Sequence, residues 1–165
     1  MKIAIHDANI LIDLLNIELF TTTLDLNFQF VTTDFVLGEL NSGQITKLDP
    51  ATQTDQLSIH SSNHTELDEI FKILSNTKQL SVADCSVFLL ASKTDAVLLT
   101  GDRYLRKYAE NNNLLVHGVI WILDQLIDSQ LITKALAIQK LKLLIAGNDR
   151  LPKGICERRI IHWSK

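Results

Sequence analysis

Asp7, Glu39, Asp84 and Asp102 are the side chains of this sequence whose types and positions suggest chemistry. Asp7 directly follows the apolar run Lys2-Ile3-Ala4-Ile5-His6, and Asp102 follows a second one, Ala96 to Thr100. Asp84 falls in the first turn of a helix opening after Ser81, and Glu39 is expected about a turn and a half into a short helix, "FVLGELNSG". If those elements converge, four carboxylates share one edge. Like charges at close range in a low dielectric repel strongly, so such a cluster takes up a proton or recruits a cation. Oxygen ligands with no His or Cys cluster beside them select hard Mg²⁺ or Mn²⁺ rather than zinc. An ion of that kind neutralises the charge that builds on a phosphodiester under attack and makes a bound water a better nucleophile.

Each acid also has a purely structural explanation. Asp7 and Asp102 can cap the helices they precede by accepting orphan backbone N–H groups. "SVAD" fits a capping box, with Ser81 as cap and Asp84 reaching back. Glu39 can be a solvated helical acid. Asn9 and Thr100 supply neutral polar groups beside Asp7 and Asp102, and they are the supporting candidates. Asp13, six residues after Asp7, lies roughly 240° further round a helix and reads as a surface acid or one standing behind the site. Asp34 reads as a cap.

The strands and helices that carry these groups can be read from periodicity. Lys2 to His6 is a short buried strand, and "DANILIDLL" carries Ile10, Leu11, Leu14 and Leu15 at helical spacing. Phe28 to Thr32 is a second strand, followed by the short helix capped by Thr33 or Asp34 and ending at Ser42-Gly43. The stretch from Asp49-Pro50 to Asp55 reads as a turn-rich linker, and Gln56 to His60 alternates as a partly exposed strand. Thr65 to Ser75 is helical, with Leu67, Ile70, Phe71 and Leu74 on one face. Ser81 to Lys93 is a second helix, with Val82, Cys85, Phe88, Leu89 and Ala91 facing inward. The strand Ala96 to Thr100, a helix from Arg103 to Asn111 and a last strand, Leu114 to His117, complete the alternation. After Gly118 the pattern is helical to Trp163. Strands alternating with helices through short loops predict an α/β fold with a mainly parallel sheet covered on both faces. In such sheets ligands bind outside the carboxyl ends of the strands, where strand order reverses.

Composition narrows the field. With 165 residues and 46% hydrophobic content, the chain is one domain's length and can bury a core. Cys85 and Cys156 lie outside any metal or disulfide spacing and are expected to be buried fillers. No apolar run reaches the roughly 18 residues a bilayer span needs, and Asp7 interrupts the first one too early for a signal peptide. A cytoplasmic protein with no membrane partner is expected. The net charge of −3 argues against a generally basic nucleic-acid binder, yet from Lys140 onward seven Lys/Arg face only Asp149 and Glu157. That asymmetry describes either a solvated face or a phosphate-contacting rim beside an acidic centre. No Gly-rich nucleotide loop occurs among the six glycines. An aspartyl phosphotransferase would place a second acid where Asn9 stands, and a phosphoacceptor module would want paired acids after the first strand.

In order along the chain, "IHDANILIDLL", "FVLGELNSG", "LSVADCSVFLLA" and "LLTGDRYLRKYA" resemble the PIN-domain nucleases, the group that includes VapC-like toxins. The resemblance covers residues 1–118, read as the catalytic domain. Residues 119–165 then form a helical carboxyl-terminal extension packed on the same domain. It implies a three-layer α/β/α fold and metal-dependent hydrolysis of RNA phosphodiesters, with Asp7, Glu39, Asp84 and Asp102 as the acidic quartet. Asp7, Asp84 and Asp102 would hold Mg²⁺ or Mn²⁺, and Asn9 and Thr100 would support them. Arg103, Arg106 and Lys107 are candidates to meet RNA phosphates, while Tyr104 and Tyr108 read as packing. An antitoxin protein and a homodimer are the partners it suggests. The competing reading is a PIN-like module that binds RNA or protein with little or no cleavage.

Overall fold

A computed structural model describes residues 1–165. Five strands form one all-parallel sheet in the order β3-β2-β1-β4-β5. The chain starts in its middle with β1 (Lys2–His6), whose last three residues are buried, and passes through α1 (Ala8–Asn16) and the short α2 (Phe20–Thr23). It then builds outward through β2 (Phe28–Thr33), α3 (Asp34–Leu37), α4 (Ser42–Gln53) and β3 (Leu57–His60). Two helices, α5 (His64–Asn76) and α6 (Val82–Thr94), return it to the other side of β1. There it forms β4 (Val97–Leu99), α7 (Arg103–Asn111) and β5 (Val116–His117). Strand order therefore reverses between β1 and β4.

The fold is a three-layer α/β/α sandwich. On one side α6 lies across β1, β2 and β4, flanked by α3, α5 and α7; the other side carries α1, α2, α4 and α8 (Val119–Asp128). From Ala83 to Ala91 α6 is buried except at Asp84, so its apolar residues run round the helix rather than along one stripe. That is how a helix with neighbours on several sides should look. Next, α9 (Lys134–Gly147) packs on α8, and α10 (Lys153–Trp163) packs on α9. The buried apolar cluster runs from Ala4 to Trp163 without a break between the sheet and these last helices. The Trp163 indole N–H donates to Asp124 at 2.9 Å, and Arg159 pairs with the same carboxylate at 3.3 Å. No helix is long and apolar enough to cross a membrane.

Several elements differ from the pattern read in the sequence. The helix expected through Glu39 ends at Leu37, and Glu39 sits in the turn after it. Ser42-Gly43 opens α4 instead of stopping a helix, because Asn41 and Gln44 make a reciprocal capping box there. The expected linker at Asp49-Pro50 lies inside α4. Leu48 and Ala51 are buried, which holds the helix through Pro50 despite the missing backbone donor. Phe71, expected on the inner face of α5, is 52% exposed, and Ile70 is that helix's one fully buried side chain. Both cysteines are free and buried, as expected of fillers.

Candidate active site

The positions of the acids follow from the strand register. His6 pairs with Leu99 across β1 and β4, so the next residue on one strand, Asp7, meets the next on the other, Thr100. The Asp7 backbone N–H continues the ladder by donating to the Leu99 carbonyl at 3.0 Å. The carboxylate of Asp7 is 2% exposed and receives three donors. The Ala8 N–H donates to Oδ1 at 2.7 Å, while Asn9 Nδ2 and Thr100 Oγ1 donate to Oδ2 at 2.6 and 2.7 Å. The Asn9 amide oxygen accepts the Gly101 N–H at 2.6 Å, and Thr100 Oγ1 accepts the Asp102 N–H at 3.0 Å. Asn9 and Thr100 thus tie the tip of β1 to the tip of β4.

Gly101 favours this close approach. A Cβ there would stand 3.1 Å from Asn9 Oδ1, tighter than ordinary van der Waals contact. No glycine in the chain has positive φ, so the residue serves proximity rather than a left-handed turn.

Glu39 and Asp84 arrive from the β2 side. Thr33, at the tip of β2, caps α3 and hydrogen bonds Ser86 of α6 at 2.7 Å, which ties the first half of α6 to the start of α3. Ser81 then connects the two acids. Its N–H donates to Asp84 Oδ2 at 2.7 Å, and its hydroxyl both accepts the Asp84 N–H and donates to Glu39 Oε1 at 3.3 Å. The capping-box reading of Ser81 and Asp84 is therefore correct, and Ser81 also joins two of the candidate acids, a contact that the capping pattern does not signal. Asp102 is likewise a cap: its Oδ1 accepts from Tyr104 and Leu105 N–H at 2.8 Å each. Capping leaves room for a ligand, because these interactions engage one oxygen per carboxylate. Glu39 Oε2, Asp84 Oδ1 and Asp102 Oδ2 take no hydrogen bond within the protein.

Electrostatics link the four acids. Burial pushes the Asp7 carboxyl up to about 7, opposed by the Thr100 and Ala8 donors and reinforced by Asp84 and Glu39. Burial and the neighbouring Asp84 raise Glu39. Burial raises Asp84, against the pull of the Ser81 donors and with a further push from Asp102. Asp7, Glu39 and Asp84 are thus each pushed up by a neighbouring acid. As the side chains lie, no group of three or more His, Cys, Asp or Glu is close enough to hold a metal ion. Free oxygens on mutually repelling carboxylates nevertheless fit a hard cation, which would relieve that repulsion.

Behind the acids, His6 is fully buried with both ring nitrogens unpartnered, and burial lowers its pKa to about 3. It is a neutral ring packed edge-on against Phe30 at 5.1 Å.

The candidate basic residues divide. Arg103 and Lys107 are exposed and form no ion pair, while Arg106 is turned inward. Its guanidinium donates to the Thr100 carbonyl at 2.9 Å and the Val116 carbonyl at 3.3 Å, joining β4 to β5. Tyr108 packs edge-on against Phe88 at 4.7 Å, whereas Tyr104 is exposed. Asp13 is neither at the surface nor among the acids. It is buried beside Arg150 and accepts two bonds from Asn148 Nδ2, at 3.0 and 3.2 Å.

A family model described as a PIN domain matches residues 3–165. The chain belongs to the PIN-domain family. No curated protein matches it. The match spans nearly the whole chain, so the last three helices belong to the matched region of this PIN domain along with the sheet. The PIN domain is a nuclease fold, and its all-parallel sheet here has the acids at the carboxyl edge, beside the point where strand order reverses.

Proposed function

We propose that this PIN domain is a metal-dependent endoribonuclease that hydrolyses RNA phosphodiester bonds. The observation that carries the reading is the tie between β1 and β4 through Asp7, Asn9 and Thr100, which brings Asp7 beside Asp102 within the electrostatic reach of Glu39 and Asp84. Asp7, Asp84 and Asp102 are the residues that would hold Mg²⁺ or Mn²⁺. When bound, such an ion offsets charge on the scissile phosphate and lowers the pKa of the attacking water.

The chain's own groups do the rest. Glu39, exposed and with its carboxyl held above the usual range, is suited to orient the water and accept its proton. Asn9 and Thr100 hold Asp7 in one orientation. Arg103 and Lys107 meet phosphates of the strand. In this reading residues 1–118 carry the catalysis, and residues 119–165 are an extension packed on the same core. The resemblance to VapC-like proteins makes a toxin role the finer proposal, in a cytoplasmic setting, with an antitoxin covering the acids and a homodimer as its assembly.

The test is incubation of purified protein with a mixed RNA pool and Mn²⁺ or Mg²⁺, with EDTA and Asp84→Asn controls. Cleavage is expected only with the ion and the intact Asp84; cleavage surviving both controls overturns the assignment. A second reading, an RNA- or protein-binding module without cleavage, draws on the acids' standing too far apart for ligation as the side chains lie. It predicts no heat stabilisation by Mn²⁺ and undiminished RNA binding by Asp84→Asn.

A further inference from the structure

A cavity of about 470 Å³ begins where the acids end. It contains none of the quartet but includes Asn9 and Gly101, the two residues that bond across the β1 and β4 tips. Its opposite wall is built by the carboxyl-terminal helices: Val119, Ile120 and Trp121 from the start of α8, and Leu151 and Ile155 from around the α9–α10 connection. The wall is held in place by two contacts. Asn148 clamps the connection to Asp13 of α1, and the Trp121 indole is stacked on the His117 imidazole at 4.2 Å and 4°.

The cavity's charge is positive. Arg103, Arg106 and Arg150 contribute guanidinium groups against the single carboxyl of Asp13, which Asn148 already engages. Arg106 is bound to backbone carbonyls, Arg150 donates through Nε to Asn148 Oδ1 at 3.4 Å, and Arg103 makes no hydrogen bond to the protein. A mostly apolar chamber with cations at its rim suits a flat heteroaromatic ring attached to an anion. Its volume falls within the roughly 300–1,000 Å³ of ordinary small-ligand sites.

Resting on the nuclease reading above, we propose that this cavity is a subsite for one nucleotide of the RNA strand, next to the phosphate being cleaved. The base lies against the Val119–Trp121 and Leu151–Ile155 wall, and a phosphate meets Arg103 and Arg150. The carboxyl-terminal helices then act in substrate selection as well as in packing. An acidic segment of a protein partner could match the same charge, but it would not need an apolar chamber beside Asn9 and Gly101.

A nucleoside 5′-monophosphate has no internucleotide bond, so its binding is read independently of cleavage. Calorimetric titration of the full chain with the four monophosphates, ribose 5-phosphate and inorganic phosphate tests the subsite. At least one monophosphate is expected to bind tenfold or more tightly than ribose 5-phosphate, with a change in tryptophan fluorescence from Trp121, since Trp163 is buried elsewhere. Ile155→Asp, at a position 45% exposed and so tolerant of the change, should remove that preference. Arg150→Ala should weaken the monophosphate several-fold and leave the unphosphorylated nucleoside unaffected. Thermal melting confirms that both variants are folded. Equal affinity for monophosphate and ribose 5-phosphate overturns the proposal, as does an Ile155→Asp protein with the preference intact. Binding of an acidic, apolar peptide where no monophosphate binds at millimolar concentration also overturns it and assigns the cavity to a protein partner. RNA cleavage that proceeds without a monophosphate preference defeats the subsite alone; absence of RNA cleavage defeats the nuclease reading itself.

Discussion

Asp7 is under opposing pressures. Three donors favour its charged form, while burial and two neighbouring acids favour the neutral one, and the second set prevails, with a pKa near 7. A carboxyl moved from 3.8 to about 7 on folding corresponds to roughly 4 kcal/mol. The sign is destabilising: below pH 4 both folded and unfolded chains are protonated there. Between about 4 and 7 the unfolded chain loses its proton first, so stability falls as pH rises through that window and levels off above it. Urea unfolding in EDTA should show this fall, and Asp7→Asn should flatten it, nearly matching the parent at pH 4 and exceeding it at pH 8. A variant that is unfolded throughout would make Asp7 a structural cap alone. At Ser81 the expectation is different. Ser81→Ala removes the cap of α6 and the bridge to Glu39, costing about 1 kcal/mol of stability, read from the lowered denaturant midpoint.

At the scale of elements, the connection between α9 and α10 is held to α1 by Asn148 and Asp13. Asn148→Ala leaves a buried carboxyl without that donor, at a cost of about 1–3 kcal/mol. Amide hydrogen exchange should rise at residues 148–152 while β1 and β4 stay protected. Gly101→Ala acts at the sheet edge: the new Cβ presses on Asn9 Oδ1, so RNA cleavage should drop at least tenfold with little loss of stability. Retention of full activity would show that the Asn9 tie does not position Asp7. The elements most legible in the sequence were those whose signals are local. Helix α7 was read at its observed bounds, because Asp102 caps it and its apolar face is regular. Helix α4 is less legible, since Asn-x-x-Gln is a weaker capping signal than Ser-x-x-Asp and Asp-Pro resembles a break. Burial of Leu48 and Ala51 outweighed that local signal, and the four-residue α2 is too short to show a period.

For the molecule as a whole, a cation held among the acids should couple binding to folding. Mn²⁺ at about one hundred times its dissociation constant adds roughly 2.7 kcal/mol of stability. The melting shift measured by calorimetry should be larger at pH 8 than at pH 5, because at the lower pH Asp7 holds a proton that the ion must displace. An equal shift at both pH values would place the ion away from Asp7. Local sequence is enough to show that the chain alternates strands and helices, that apolar β1 and β4 are each followed by an acid, and that "SVAD" opens a capped helix. These are properties of periodicity and of neighbours a few residues apart. That Asp7 and Thr100 share a hydrogen bond across 93 positions, and that Ser81 reaches Glu39 across 42, depends on how the chain is folded. The tertiary structure also places Asp13, one helical turn after Asn9, beneath a cavity roofed by the last helices. Strand order and the packing of α8 to α10 set those distances, and neither is encoded in local spacing.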